Sequence, residues 1–448
     1  MLRKPVPRVM SLSSVLEQSD LTTLSVLRQG DEVVCSVSRE WDPGQDFSGY
    51  GRRFSSDQLT CREPEVLGDA AARALLAERG AEGALAALSE GMRRGRHELF
   101  VMRRHSGLGV EVCHFVHSTA LGRRNGFHAL RAGGIRRLPP GVAEGEALAD
   151  GLNLSRAMSF KCAAAGVPFG GSKTTLSAAP FPASDAARVG FIAFCVDRGQ
   201  LMTGPDIGLE PDLLDALSRV TPHALCGRSS PLGSTAGPTA AGVRAALAAA
   251  AEHRYGARSL KGKRVALQGL GSVGLELAVE LAAEGAEIIG ADPDPERVEM
   301  ARARLPKLVV TNPERVLYTD CDVLSPCALG GVLDARNIGE LRCAMIYGAA
   351  NNQLAASSTE EELELAELLA ARGVLFQPDF TYTMGGILTG WEVYQKRDLA
   401  SFAKVQTDIS RAAGDGTRDL LREAARTGET PSAVAVRWFS PLVYGSSE

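Results

Sequence analysis

Two lysines, Lys161 and Lys173, lie twelve residues apart, and the second directly follows Gly170-Gly171-Ser172. Lysine is a poor base in water because its pKa is near ~10.4. Burial and a neighbouring cation lower that pKa by several units. Two lysines in one glycine-walled pocket would let one bind a substrate carboxylate while the other, once neutral, acts as a base. The alternative is two solvated surface lysines, but the flanking apolar residues and the glycines favour the functional interpretation.

A glycine-rich loop between a buried strand and a helix predicts a dinucleotide site. The strand covers residues 263–269 and the helix covers residues 273–284, which is the context that a GxGxxG motif needs. Gly269 permits the tight turn, Gly271 lets the backbone approach a pyrophosphate, and Gly274 lets the helix pack on the strand. The helix start supplies N–H groups and a positive dipole for the phosphates. The predicted loop contacts are Gly269, Gly271, Ser272, Val273 and Gly274.

An acidic residue follows this loop at the distance that ribose binding requires. Asp292 closes the next predicted strand, residues 287–292, eighteen residues after Gly274. Its carboxylate would accept hydrogen bonds from the ribose hydroxyls and repel a 2′-phosphate. This predicts NAD rather than NADP, although the nearby Arg297 leaves NADP open. The alternative is a glycine turn in an α/β domain that binds no nucleotide.

Strands and helices alternate from residue 239 to residue 391, which predicts a doubly wound parallel sheet. The preceding stretch, residues 97–237, contains a predicted hairpin over 98–117 and a helix over 146–165. Residues 24–38 are typical of a second hairpin, and no chemistry can be attached to residues 1–95. The fold class is therefore α/β with more than one domain.

Composition excludes several classes of protein. The chain has 448 residues, of which 45% are hydrophobic and 23% charged, with a net charge of −4, so we expect a globular protein that binds no nucleic acid. It contains no run of eighteen apolar residues and no signal-peptide pattern, so we expect no membrane segment. The nine cysteines show no metal-binding spacing. We therefore expect no metal site, and free thiols in the cytoplasm.

Eight motifs occur in the order and spacing of one enzyme family, and the chain resembles the glutamate/leucine/phenylalanine/valine dehydrogenases, most closely the leucine and phenylalanine branch. The resemblance covers about residues 97–440. The motifs lie at residues 158–161, 170–173, 205–208, 239, 269–274, 325–331, 348–354 and 378–386.

The resemblance implies an architecture. Residues 96–237 would form a substrate-binding and dimerisation domain, completed by C-terminal helices within residues 392–448. Residues 238–391 would form a Rossmann NAD-binding domain, and an L-amino acid would bind in the cleft between the two domains. Residues 1–95 would be an N-terminal extension of unknown role. A homo-oligomer is expected.

The resemblance also implies a reaction, the reversible NAD-dependent oxidative deamination of an L-amino acid to a 2-oxo acid and ammonia. Lys161 would hold the substrate carboxylate, Lys173 would act as base on the attacking water, and Asp206 would exchange protons with the amine. Taken alone, Asp206 would be better interpreted as a turn or N-cap aspartate. The cofactor positions implied by the motifs are Thr239, Ala328 and Asn352.

The predicted substrate pocket departs from the family pattern. Gly126–Phe127 would stand where the family has adjacent glycines, Thr383 where it has an asparagine, and Gly390, beside Trp391, where it has an aliphatic residue. These substitutions predict an apolar substrate that is bulky or aromatic. The alternative is that Phe127 and Trp391 only pack in the core.

A protein of a different class also fits these residues. It would be a non-catalytic homologue that binds NAD and a ligand as a sensor or assembly partner. Thr383 and Phe127 favour this alternative, whereas the retained Lys161, Lys173 and Asp206 favour the enzyme.

Overall fold

The computed structural model describes residues 10–127 and 130–445. The chain forms two compact units, the first made of residues 1–159 and 169–230 and the second of residues 160–168 and 231–448. No helix among the described residues is both long and apolar enough to cross a bilayer.

The first unit is built on a mixed sheet, with strand order β3-β2-β1-β4-β5-β8-β6-β9 and β7 paired with β8. The final helical turn of α6 belongs to the second unit. The elements are α1 (Leu12–Gln18), β1 (Thr23–Gln29), β2 (Glu32–Ser38), α2 (Ser56–Leu59), β3 (Val66–Leu67), α3 (Asp69–Glu78), α4 (Glu82–Gly95), β4 (Leu99–His105), β5 (Val110–Ser118), α5 (Ala120–Arg124), β6 (Arg131–Ala132), β7 (Ile135–Arg137), α6 (Glu144–Ala165), β8 (Gly170–Ala178), α7 (Ala186–Arg198), β9 (Leu201–Met202) and α8 (Pro211–Ser218).

The N-terminal segment is part of this sheet, which differs from the separate extension expected over residues 1–95. The predicted hairpin is confirmed as β1 and β2, and β1 also pairs antiparallel with β4. Trp41 is fully buried, and its ring lies 5.3 Å from that of Phe191 and 5.6 Å from that of Phe194, both on α7. Burying these aromatic rings joins the segment to the first unit. Residues 1–9 of the expected extension lie outside the described residues.

The second unit contains a parallel sheet with strand order β12-β11-β10-β13-β14-β15. This confirms the predicted doubly wound fold, and the fully buried Val265, Ala266 and Leu267 of β10 show that both faces of the sheet are covered. Its elements are α9 (Ala236–Tyr255), β10 (Arg264–Gln268), α10 (Ser272–Ala283), β11 (Glu287–Ala291), α11 (Pro295–Arg304), β12 (Val309–Val310), β13 (Val323–Pro326), β14 (Met345–Ile346), α12 (Thr359–Ala371), β15 (Leu375–Phe376), α13 (Gly385–Lys396), α14 (Phe402–Ile409), α15 (Gly416–Thr427) and α16 (Pro431–Tyr444).

The C-terminal helices also differ from the expected division of the chain. They were expected to complete the first domain, but they group with the second unit. Among them, α15 meets α9, where Arg418 forms an ion pair with Glu252 at 3.5 Å. The compact units divide the chain after residues 159, 168 and 230, and the functional domain bounds at residues 96, 237 and 392 stay a prediction.

Candidate active site

Lys173 lies in the middle of β8, where it is only 4% exposed. Glycines before it let the strand approach its neighbours closely. A Cβ atom on Gly171 would lie 2.1 Å from the backbone nitrogen of Ser159 on α6, and one on Gly170 would lie 2.6 Å from the carbonyl oxygen of Ser118. Any larger residue would push the strand away, so the Gly-Gly pair explains how the lysine is held in a buried position.

Asp206 lies in the loop after β9, and its carboxylate meets two cations. The Nζ of Lys173 forms an ion pair with Oδ2 of Asp206, and the Nε of Arg136 on β7 lies 3.2 Å from the same oxygen. Arg136 in turn donates from Nη1 to both oxygens of Asp150 on α6, at 3.1 and 2.8 Å. The loop turns back at Gly208, whose φ of +79° favours glycine. We call these four side chains the lysine–arginine cluster.

The electrostatics of this cluster suit proton transfer. Burial lowers the pKa of Lys173 below its ordinary value, and Arg136 adds to the lowering while Asp206 opposes it. Burial alone would raise the pKa of Asp206, yet Lys173 and Arg136 together hold it far below the ordinary range. Asp206 is therefore ionised at neutral pH, and Lys173 releases its proton more readily than a surface lysine.

Two adjacent glycines that the sequence analysis did not single out border the cluster. A Cβ on Gly134 would lie 3.2 Å from Cβ of Asp206, and one on Gly133 would lie 2.0 Å from the carbonyl oxygen of Ser172. Both follow the short strand β6 and precede β7, and their adjacency was the signal that could have identified them.

Gly126 and Phe127, which the sequence predicts to bind substrate, lie before these glycines in the chain. Phe127 packs edge to face on Phe169, with the ring centroids 5.2 Å apart, and its carbonyl oxygen approaches Gly122. Gly126 has a φ of +78°, and a Cβ there would meet open space among the described residues. Their role in substrate binding stays a prediction, whereas Gly134 lies beside Asp206.

In the second unit, Lys161 on α6 belongs to a separate polar cluster. Its Nζ donates to Oδ1 of Asn351 at 2.7 Å. The next residue, Asn352, has a left-handed φ of +51°, and its backbone N–H donates to Oδ1 of Asp379 at 3.0 Å. The other oxygen of Asp379 is buried without a hydrogen-bond partner in the described structure. Burial raises the pKa of Asp379 to about 6, against the opposing effect of Lys161.

The predicted residues Thr383, Gly390 and Thr239 lie in the same unit. Thr383 is buried and donates from Oγ1 to the carbonyl oxygen of Asp379 at 2.8 Å, so its hydroxyl hydrogen is already used. A Cβ on Gly385 would lie 2.6 Å from the backbone nitrogen of Thr239, which brings the start of α13 against α9. Gly390 is buried within α13.

The glycine loop after β10 has the geometry that a pyrophosphate needs. Gly269 has a φ of +100°, and a Cβ there would lie 2.9 Å from Cβ of Ala328. A Cβ on Gly274 would lie 2.2 Å from the carbonyl oxygen of Gly269. Gly271 caps α10, and the nearest atom to a Cβ there would be Nη1 of Arg297, at 3.6 Å. Ser272 and Val273 begin the helix, so their N–H groups are available to an anion.

Asp292 follows β11 and holds this loop. Its Oδ2 accepts from the backbone N–H of Leu270 at 2.9 Å, and its Oδ1 accepts from that of Asp294 at 3.0 Å. Nη1 of Arg297 lies 3.8 Å from Oδ2 of Asp292. Each carboxylate oxygen keeps a second lone pair with which it can accept from a ribose hydroxyl, so the residues present fit a dinucleotide.

A doubly wound sheet with this glycine loop is typical of a dinucleotide-binding enzyme, and the first unit contains a buried lysine–aspartate pair that suits acid–base chemistry. A family model described as Glutamate/Leucine/Phenylalanine/Valine dehydrogenase matches residues 296–437. L-tryptophan dehydrogenase of Nostoc punctiforme is 33% identical over 349 residues, which cover 75% of this chain and 95% of the relative. Phenylalanine dehydrogenase of Thermoactinomyces intermedius is 34% identical over 304 residues, which cover 67% and 79%.

A solved structure agrees with these matches. The crystal structure of L-tryptophan dehydrogenase from Nostoc punctiforme has a TM-score of 0.59 and 28% identity to this chain, and the match covers 79% of this chain and 98% of that one. The chain belongs to the glutamate/leucine/phenylalanine/valine dehydrogenase family. It is thus an NAD(P)-dependent oxidoreductase of the amino acid dehydrogenase class, as the sequence predicted, and the non-catalytic alternative is not favoured.

Proposed function

We propose that the protein catalyses the NAD-dependent oxidative deamination of a bulky apolar or aromatic L-amino acid to a 2-oxo acid and ammonia. The observation that carries this proposal is the buried Lys173–Asp206 pair. A lysine whose pKa is lowered by burial gives up its proton more readily than an exposed lysine and so can act as a base. An ionised carboxylate beside it can accept a proton from the substrate amino group and later return a proton to the nitrogen that leaves as ammonia.

Each residue has a separate task in this reaction. Lys161 pairs with the substrate carboxylate and so fixes the position of the substrate Cα, which orients the reacting bond. NAD held at the glycine loop and Asp292 would supply the acceptor for the hydride that leaves Cα. Lys173 then accepts a proton from the water molecule that adds to the imine carbon. Asp206 exchanges protons with the nitrogen, so that it leaves as ammonia.

The cofactor preference follows from Asp292. Its carboxylate accepts from a ribose hydroxyl in NAD and repels the 2′-phosphate of NADP. We expect Asp292→Ser to reduce kcat/KM for NAD and to narrow the preference over NADP. Arg297→Ala is the variant to compare with Asp292→Ser. If Arg297→Ala loses any residual turnover with NADP, Arg297 is the residue that contacts the 2′-phosphate. An unaltered NAD preference in Asp292→Ser would contradict the assignment.

The substrate class is supported by Gly390 and by the related enzymes. Gly390 is buried in α13 and, because it has no side chain, it would take no volume from a substrate pocket at that position. The relatives named above are described as tryptophan and phenylalanine dehydrogenases. We therefore expect kcat/KM to be higher for tryptophan or phenylalanine than for alanine, and Gly390→Val to reduce turnover of the bulky substrates most.

Assembly as a homo-oligomer and a cytoplasmic location are parts of the same proposal.

The decisive experiment measures formation of the reduced nicotinamide by its absorbance with a panel of amino acids, and its consumption with 2-oxo acids and ammonia. We expect Lys173→Ala to abolish turnover in both directions. Lys404→Ala is the matched control, because it removes an exposed lysine that also pairs with an aspartate, and it should leave turnover unchanged. Unchanged turnover in Lys173→Ala would refute the proposed function.

A further inference from the structure

Arg136 is a buried cation that has no task in the reaction as proposed above. It lies on β7, and the register places it opposite Thr175 of β8, two residues beyond Lys173. Its Nε and the Nζ of Lys173 approach the same oxygen of Asp206. One carboxylate oxygen between two cations cannot fully neutralise both. The attraction between Lys173 and Asp206 is therefore weaker than it would be in an isolated ion pair.

Asp150 fixes the guanidinium group in this position. Both of its oxygens accept from Nη1 of Arg136, at 3.1 and 2.8 Å. The guanidinium is thus tied to α6 on one side and to the Asp206 loop on the other, and it cannot turn away without losing charged hydrogen bonds.

We propose that Arg136 is a positioning residue that shares the Asp206 carboxylate with Lys173 and so weakens the attraction that keeps the proton on Lys173. This inference rests on the proposed function, in which neutral Lys173 is the base. An arginine suits the task because it stays protonated at every pH at which the enzyme works. The positive charge of Arg136 is permanent, and the proton that leaves the cluster comes from Lys173.

The charges that act on Lys173 come from three neighbouring elements. The loop after β9 contributes Asp206, β7 contributes Arg136, and α6 contributes Asp150. The neighbouring strand β5 places Phe115 opposite Lys173 and adds no charge there. Arg136 disfavours the protonated lysine, whereas both aspartates favour it. Removing the arginine and removing Asp150 must therefore move the titration of Lys173 in opposite directions.

The test is the pH dependence of kcat/KM for oxidative deamination in the full chain, measured with one amino acid so that the ionisation of the substrate is the same in every variant. Activity falls on the acid side when Lys173 becomes protonated. We expect Arg136→Gln to shift this acid limb upward by about one to two pH units. We expect Asp150→Asn to shift it downward, because Arg136 then loses its second partner. Arg136→Lys keeps a positive charge and should shift the limb less than Arg136→Gln.

Shifts of the acid limb in opposite directions distinguish this role from a loss of folded protein. Misfolding lowers kcat/KM at every pH and does not shift the acid limbs of the Arg136 and Asp150 variants in opposite directions. Asp150 is partly exposed, so its variant gives a result even where Arg136→Gln fails to fold. Shifts in the same direction, or no shift in Asp150→Asn and in whichever Arg136 variant folds, would overturn the inference. If Lys173→Ala is inactive but the pH profiles of the Arg136 and Asp150 variants do not shift, only the role of Arg136 is rejected. The proposed function then stands.

Discussion

Replacing Asp206 by asparagine tests the electrostatics of the lysine–arginine cluster directly. The change keeps the shape of the side chain and removes the negative charge that contacts both Lys173 and Arg136. At 3.2 Å and an effective dielectric constant of about 20, the Arg136–Asp206 attraction alone is on the order of 5 kcal/mol. Asp150 continues to hold Arg136, which offsets part of this loss. Breaking one partner of a buried ion pair costs roughly 3–5 kcal/mol, so we expect a loss of folding free energy in that range.

The size of the loss should depend on pH, and its sign follows from Lys173. In the variant this lysine faces Arg136 without the carboxylate, so its pKa in the folded protein falls further below that of the unfolded chain. The unfolded chain then binds more protons than the folded protein, and stability rises with pH. Above the ordinary aspartate pKa of about 3.9, Lys173 relieves the repulsion by losing its proton, so the difference from the wild type should shrink as the pH rises toward the alkaline range. Below that pKa the difference should also shrink, because the lowered pKa of Asp206 then stabilises the wild type less.

Urea unfolding followed by far-ultraviolet circular dichroism, repeated at several pH values, measures this difference. Asp419→Asn is the control, because Asp419 is an exposed carboxylate that also pairs with an arginine, Arg422, and its variant should unfold at the wild-type midpoint. A loss for Asp206→Asn below about 1 kcal/mol, the range of exposed pairs, would refute the reasoning. A difference that grows as the pH rises above the ordinary aspartate pKa would refute it equally.

Three further predictions follow from individual contacts. Gly133→Ala should fail to fold, because its Cβ would lie 2.0 Å from a backbone oxygen of β8. Gly134→Ala, whose Cβ would have its nearest contact at 3.1 Å, should fold with kcat reduced about tenfold. Circular dichroism measures whether each variant folds, and steady-state kinetics measure kcat. Asp379→Asn should raise the KM for the amino acid more than it lowers kcat, because Asp379 supports the turn that holds Lys161; equal changes in both would contradict this. Burial lowers the pKa of His97 from 6.5 to about 3, so unfolding free energy should decline as the pH falls between these values, and His97→Gln should flatten that decline.

The fold of the second unit could be predicted because its signals are local. A buried strand, a glycine turn and a helix start occupy consecutive residues, and Gly269, Gly271 and Gly274 each have a stereochemical reason to be glycine. The predicted strand and helix bounds agree with β10 and α10 to within two residues. Lys173 and Asp206 were predicted as site residues from the motifs that surround them, and the structure pairs their charged groups.

Arg136 could not be predicted in the same way, although the adjacent Gly133–Gly134 before it gave a signal in the sequence. The strand β7 has three residues, which is too short for an alternating pattern to show which side chain points inward. The contact of Arg136 with Asp206 joins positions 70 residues apart, and it depends on which strands of the sheet are neighbours. The pairing of β1 with β4 is non-local for the same reason, and it decides that the N-terminal segment belongs to the first unit.

The charges of the lysine–arginine cluster also indicate when its base becomes active. When Lys173 is protonated, the positive charges of Lys173 and Arg136 balance the negative charges of Asp206 and Asp150. The cluster then has no net charge. Loss of the proton leaves a net negative charge in a buried place, which is unfavourable until another cation arrives. Under the proposed function, that cation is the nitrogen of the substrate or of its imine at Asp206. The substrate would then lower the pKa of its own base, and an acid limb that lies at lower pH in kcat than in kcat/KM is the measurable consequence.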